Sequence, residues 1–168
     1  MKLLSIYRIL TYILLPIIAL IGVVDIFIFF LALANPIMLL GVFILACVVI
    51  YSISAFIFLR KGIDQTKPCN PTLKDWIRVN AFVTLVFVFQ GLIEAVMKIL
   101  NPALLKQTVT DVYTMQQQMM PSTATEATML GMMKTAVWVS VALSILILTH
   151  VILTFRLLKI NNYIFHKE

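Results

Sequence analysis

Four apolar stretches, each long enough to cross a bilayer as a helix, dominate this sequence. They run over about 9–33, 36–59, 76–100 and 131–158, the last most apolar over 135–155. At 1.5 Å per helical residue, about twenty residues cross a hydrocarbon core of ~30 Å. Inside lipid the backbone has no water to bond, and a helix satisfies its N–H and C=O groups within one segment. The expected fold is an all-α integral membrane protein. Its four transmembrane helices form an up-down bundle in one domain spanning residues 1–168.

Charge placement orients this bundle. Lys2, Arg8, Arg60, Lys61, Lys67, Lys74, Arg78, Arg156, Lys159 and Lys167 lie at the N-terminus, the second connection or the C-terminus. Lys98, Lys106 and Lys134 lie on the opposite side, where Glu94, Asp111 and Glu126 offset them. Lysine and arginine concentrate on the cytoplasmic side of membrane proteins, so both termini and the second connection are expected to be cytoplasmic. The net charge of +6 is then a topology signal with some attraction for anionic lipid, and implies no nucleic-acid partner. Hydrophobic residues make up 62% of the 168 and charged residues 12%, a balance that excludes an ordinary soluble domain. The expected location is a cell membrane of the bacterial cytoplasmic (inner) type, with the chain crossing several times.

Lys2 and Arg8 precede an apolar run ending in Ala32-Leu33-Ala34, which resembles a cleavage site. The run is too long for a signal peptide and contains Asp25, so it is expected to remain as the first helix. Cys47 falls inside the second span and Cys69 in the second connection, so both are expected as free thiols.

Proline and asparagine punctuate the chain. Pro16 is expected to kink the first helix, and Asn35-Pro36 to turn tightly into the second. Asn70-Pro71 reads as an N-cap followed by proline at the first helical position, with Trp76 at headgroup level. Residues 101–130 are expected to form a small outer helical lobe. Asn101-Pro102 opens it, and Leu105, Val109, Val112 and Met119 recur at near-helical spacing. Pro121 should end that helix, and Thr123 with Glu126 has the spacing of a capping box for a last helix over about 124–159.

Polar residues inside apolar spans are costly and are the natural site candidates. Asn80, Thr84, Phe87, Gly91, Glu94, Lys98 and Asn101 alternate spacings of four and three, which places them on one helical stripe, with Gln90 a turn before Glu94. Asp25 reaches a similar outer depth. The candidate cluster is therefore Asp25, Gln90, Glu94 and Lys98. It reads either as a proton- or cation-responsive pair of carboxylates, or as Glu94 neutralised by Lys98 with helices joined by polar contacts. His150, with Thr154 one turn on, lies in the cytoplasmic quarter of the last span. Tyr12 and Asn80 match its depth as inner polar partners. The other histidine, His166, is in the tail, so no spacing here points to a metal.

Ser140 and Ser144 on the last helix, and Ser52, Ala55 and Gly41 on the second, offer small-residue faces for close helix approach. Six of the nine methionines fall between Met115 and Met133, which reads as an irregular contact surface more readily than as a soft-metal site. No hydrolase, phosphate-loop, dinucleotide or thiol-redox motif is present, and no cofactor is implied. The leading expectation is a non-enzymatic accessory or scaffold subunit acting through helix–helix contacts with another membrane protein. The alternative is a homo-oligomeric transporter or channel protomer using Asp25 and Glu94. A third reading is a lipid-modifying enzyme with one of those carboxylates as acid or base.

Overall fold

Three Asn-Pro pairs and one threonine determine where the helices begin. In the computed structural model, which describes residues 2–119 and 125–165, α1 is Lys2–Ala32, α2 Leu39–Ile57, α3 Pro71–Leu100, α4 Pro102–Met119 and α5 Glu126–Ile160. Asn35 Oδ1 accepts the N–H of Ile37 (3.3 Å) in a short 3-10 turn, Pro36–Met38, that leads into α2. Asn70 Oδ1 accepts the N–H of Thr72 (3.0 Å), and Asn101 Oδ1 those of Ala103 (3.2 Å) and Leu104 (3.3 Å). In each pair the asparagine satisfies a free donor of the first turn. The proline that follows has no N–H to satisfy and a φ already suited to the helix. Thr125 Oγ1 caps α5 by accepting from the N–H of Thr128 (3.2 Å). Pro121, Thr123, His166 and Lys167 lie outside the described residues.

The described chain is 92% helical and contains no strand. Four helical stretches, Leu3–Ala32, Pro36–Asp64, Pro71–Leu100 and Glu126–Ile160, are long and apolar enough to cross a membrane. The first extends further back than the span at 9–33 and includes Pro16 within a continuous helix. The last starts within two residues of the expected 124.

By compactness the chain falls into two units, Met1–Phe87 with Leu146–Glu168, and Val88–Ile145. In the first, Tyr7, Tyr51, Ala55, Phe58, Leu59, Ile77, Ala81, Val151 and Leu158 form one buried cluster drawn from α1, α2, α3 and α5. Leu14, Ile18 and Val48 form a second, smaller one against Leu146 and Ile147. In lipid such helices gain little from apolar burial as such, because the alternative neighbour is also hydrocarbon. In that setting close packing and interhelical hydrogen bonds would carry the association.

One end of this unit is closed by the chain itself. Beyond α2 the helix widens into a π-helical segment, Phe58–Asp64. Thr66 then takes φ 51°, the left-handed region, and the chain turns back toward Cys69. The 3-10 turn Asn162–Phe165 folds onto this connection: the Cys69 N–H donates to the Ile164 carbonyl (2.9 Å), and Phe165 stacks on Phe58 (5.5 Å between centroids). The space beneath it is tight at Gly62. A Cβ on Gly62 would lie 3.2 Å from Phe58, 3.3 Å from Cys69 Sγ and 3.4 Å from Ile164.

In the second unit α4 packs on the adjoining parts of α3 and α5 through Ala95, Leu105 and Val137, with Ile99, Leu130, Met133 and Val141 around them. Thr110 Oγ1 donates to Glu126 Oε1 (2.6 Å), tying α4 to the first turn of α5. Met133 thus serves the core, whereas Met115 and Met132 are exposed.

Candidate functional site

The most connected polar group in the first unit is centred on His150. Its neighbours come from helical spacings of four: Tyr7 and Thr11 on α1, His150 and Thr154 on α5, with Tyr51 and Ala55 on α2. His150 Nε2 lies 3.0 Å from Thr11 Oγ1, and Nδ1 lies 2.7 Å from Tyr51 Oη. Tyr51 Oη is also 2.9 Å from Thr154 Oγ1. The Tyr7 ring stacks on the imidazole (4.9 Å, 16°), Tyr51 meets it edge-on, and the Tyr7 hydroxyl points to the Ala55 carbonyl at 3.4 Å.

The donor roles follow the imidazole tautomer. Thr11 has one proton, and its hydroxyl reaches the Tyr7 carbonyl at 2.8 Å. With the Thr11 proton on that carbonyl, Nε2–H donates to Thr11 and Nδ1 accepts from Tyr51. In the other tautomer Nδ1–H donates to Tyr51 and Nε2 accepts from Thr11. Thr154 Oγ1, with one proton to give, lies against both Tyr51 Oη and the His150 carbonyl, the latter at 2.8 Å. Every member is at most 3% exposed, so the network is closed to any ligand. It joins three helices, and it offers no accessible nucleophile or base.

The two partners matched to His150 by depth bond elsewhere. Tyr12 is exposed, one residue around the helix from Thr11, and its hydroxyl accepts from Arg60 at 3.5 Å. Asn80 is buried, but its amide donates to its own helix at the Trp76 carbonyl (2.8 Å), and Thr84 does the same at the Asn80 carbonyl (2.7 Å). Tyr7, Thr11 and Tyr51 are the partners that sequence reasoning missed. The i, i+4 pairing of Tyr7 with Thr11 and of His150 with Thr154 was the available signal.

The outer candidates divide between the units. Asp25, in the first, is 7% exposed and its Oδ1 has no hydrogen-bond partner among the described residues. Gln90, Glu94 and Lys98 belong to the second. There Gln90 Nε2 donates to Glu94 Oε1 at 3.4 Å, and both side chains are exposed. Among the described residues no ion pair joins Lys98 to Glu94. Lys98 instead lines a cavity of about 290 Å³ with Ile99, Pro102, Lys134 and Trp138. Ser52 is buried and bonds the Val48 carbonyl, Ser144 is buried, and Ser140 and Gly41 are exposed.

Both cysteines are free and buried. Burial pushes the Cys69 thiol above its ordinary pKa, and Lys61 offsets part of that rise. Among the described residues no three His, Cys, Asp or Glu side chains converge as a metal site requires. Comparison with family models, with curated proteins and with solved structures finds no match to this chain.

Proposed function

We propose that this chain is a multi-pass protein of the bacterial cytoplasmic membrane. Its termini and the connection at 60–74 face the cytoplasm. It acts as a non-enzymatic accessory subunit through helix contacts with another membrane protein. The observation that carries this reading is the exposed Gln90–Glu94 pair on α3. It is surrounded by exposed apolar side chains at Val86, Phe89, Ile93 and Met97. A carboxylate facing lipid at that depth costs several kcal/mol, of order 2.5–3.5 on insertion scales. A partner helix presenting a donor or a cation there removes the cost and gains a hydrogen bond. The histidine network supports the same reading, since it fixes the helices and leaves nothing reactive accessible.

The test is site-specific photo-crosslinking from Phe89 and Ile93 in the native membrane, with mass spectrometry of the adducts. A stoichiometric adduct with one other membrane protein, lost in Gln90→Leu/Glu94→Leu, is expected. Absence of any protein adduct overturns the proposal.

The buried, unbonded Asp25 oxygen supports a second reading, a homo-oligomeric transporter or channel using Asp25 and Glu94. Adducts only between copies of this chain, together with proton or cation flux in vesicles that Asp25→Asn abolishes, would replace the first reading by this one.

A further inference from the structure

At the basic end of the first unit, α3 and α5 enclose a cleft of about 450 Å³ lined by Lys74, Arg78, Phe155, Leu158, Lys159 and Asn162. Helical spacing puts these side chains there. Lys74 and Arg78 are four apart on α3. Phe155, Leu158, Lys159 and Asn162 follow steps of three and four along α5 and its terminal turn.

Among the described residues the cleft is lined by three cations and no carboxylate. Lys74 Nζ is already positioned, donating to Asn162 Oδ1 and standing 5.9 Å over the Phe165 ring. Arg78 and Lys159 are exposed and make no hydrogen bond or ion pair with the described residues. Elsewhere at this end Arg8 pairs with Asp64 and Arg60 bonds Tyr12, while Arg156, outside the cleft, is exposed and has no partner among the described residues. Like charges one turn apart, as at Lys74 and Arg78, repel unless an anion lies between them.

We infer that this cleft holds the phosphate headgroup of an anionic phospholipid, with its acyl chains along Phe155 and the neighbouring apolar surface. Arg78 presents a fork of donors matched to phosphate oxygens, and Lys74 and Lys159 add point charge from either side. Phe155 lies one turn from Lys159, and the exposed Phe82 one turn from Arg78, both toward the apolar part of their helices. Cations with apolar side chains directly beneath them suit a lipid, which carries both chemistries in that order. Free phosphate would use only the cations. Basic pockets between helices at the cytoplasmic surface are the usual form of such sites.

This inference rests on the membrane placement proposed above, and one experiment separates the two. The protein is reconstituted into dioleoylphosphatidylcholine vesicles containing a minority of dioleoylphosphatidylglycerol, and retained lipids are counted by native mass spectrometry after release. Preferential retention of phosphatidylglycerol is expected. Arg78→Gln/Lys159→Gln should weaken it about tenfold to thirtyfold. Arg78→Lys/Lys159→Arg should keep most of it, and Arg156→Gln, outside the cleft, should leave it unchanged. Failure to enter vesicles at all overturns the membrane placement. Entry with equal retention of both lipids, or equal loss in Arg156→Gln, overturns only the headgroup site. Displacement of phosphatidylglycerol by millimolar inorganic phosphate would make the cleft a free-anion site and overturn the lipid as its ligand.

Discussion

At the scale of single residues, distance separates the hydroxyls that hold the helices from those that merely sit nearby. Tyr51 Oη makes contacts of 2.7 and 2.9 Å, whereas the Tyr7 hydroxyl makes its contacts at 3.4 Å. Tyr51→Phe leaves His150 Nδ1 buried without its hydrogen-bond partner and should cost about 1–2 kcal/mol of unfolding free energy in bicelles. Tyr7→Phe keeps the ring stack and should cost about 0.5 kcal/mol or less. Equal losses would show that packing, not hydrogen bonding, holds this region. His150 itself was legible as a buried polar residue, because a histidine in an apolar helix must find partners. Their identity was not, since depth matching gives a level in the membrane and no angle around a helix. Tyr12 and Thr11 share a level but face about 100° apart, and only Thr11 points at the imidazole.

At the scale of elements, helix starts were the most readable feature. Asparagine before proline has a local mechanism that needs no tertiary information, and Asn35, Asn70 and Asn101 all act through it. The stripe on α3 behaved differently. Its spacing is real, yet Asn80 and Thr84 are buried while Phe87 and Glu94 are exposed, because what covers a helix changes along its length. The closing turn at 162–165 was invisible in sequence, where it is a few residues of tail. Its docking makes a direct prediction about Cys69, which is 4% exposed and whose thiol burial holds in the protonated form. Maleimide should label Cys69 slowly in the folded protein. Ile164→Ala/Phe165→Ala should raise the rate at least about tenfold, as the population of the undocked turn grows. An unchanged rate would mean that the turn does not guard the thiol.

For the whole molecule, the charge asymmetry and the four apolar helices make one joint prediction about sidedness. In a background with Cys47 and Cys69 replaced by alanine, Gln116→Cys should react with a membrane-impermeant maleimide on intact cells. Lys67→Cys should react only after permeabilisation. The opposite pattern would invert the bundle, and equal labelling of both would remove the spanning arrangement. The histidine network adds a demand on how the protein is made. Thr11 and His150 are 139 residues apart, and Tyr51 and His150 are 99 apart. At synthesis rates of roughly 5–20 residues per second, the first two helices wait about 5–20 s for the helix that carries the imidazole. Through that interval the Tyr7 and Thr11 hydroxyls have the Ala55 and Tyr7 carbonyls of the same hairpin, and the Tyr51 hydroxyl alone waits for partners on the last helix. On the membrane placement proposed above, the insertion machinery shelters that hydroxyl until the last helix arrives to pair it.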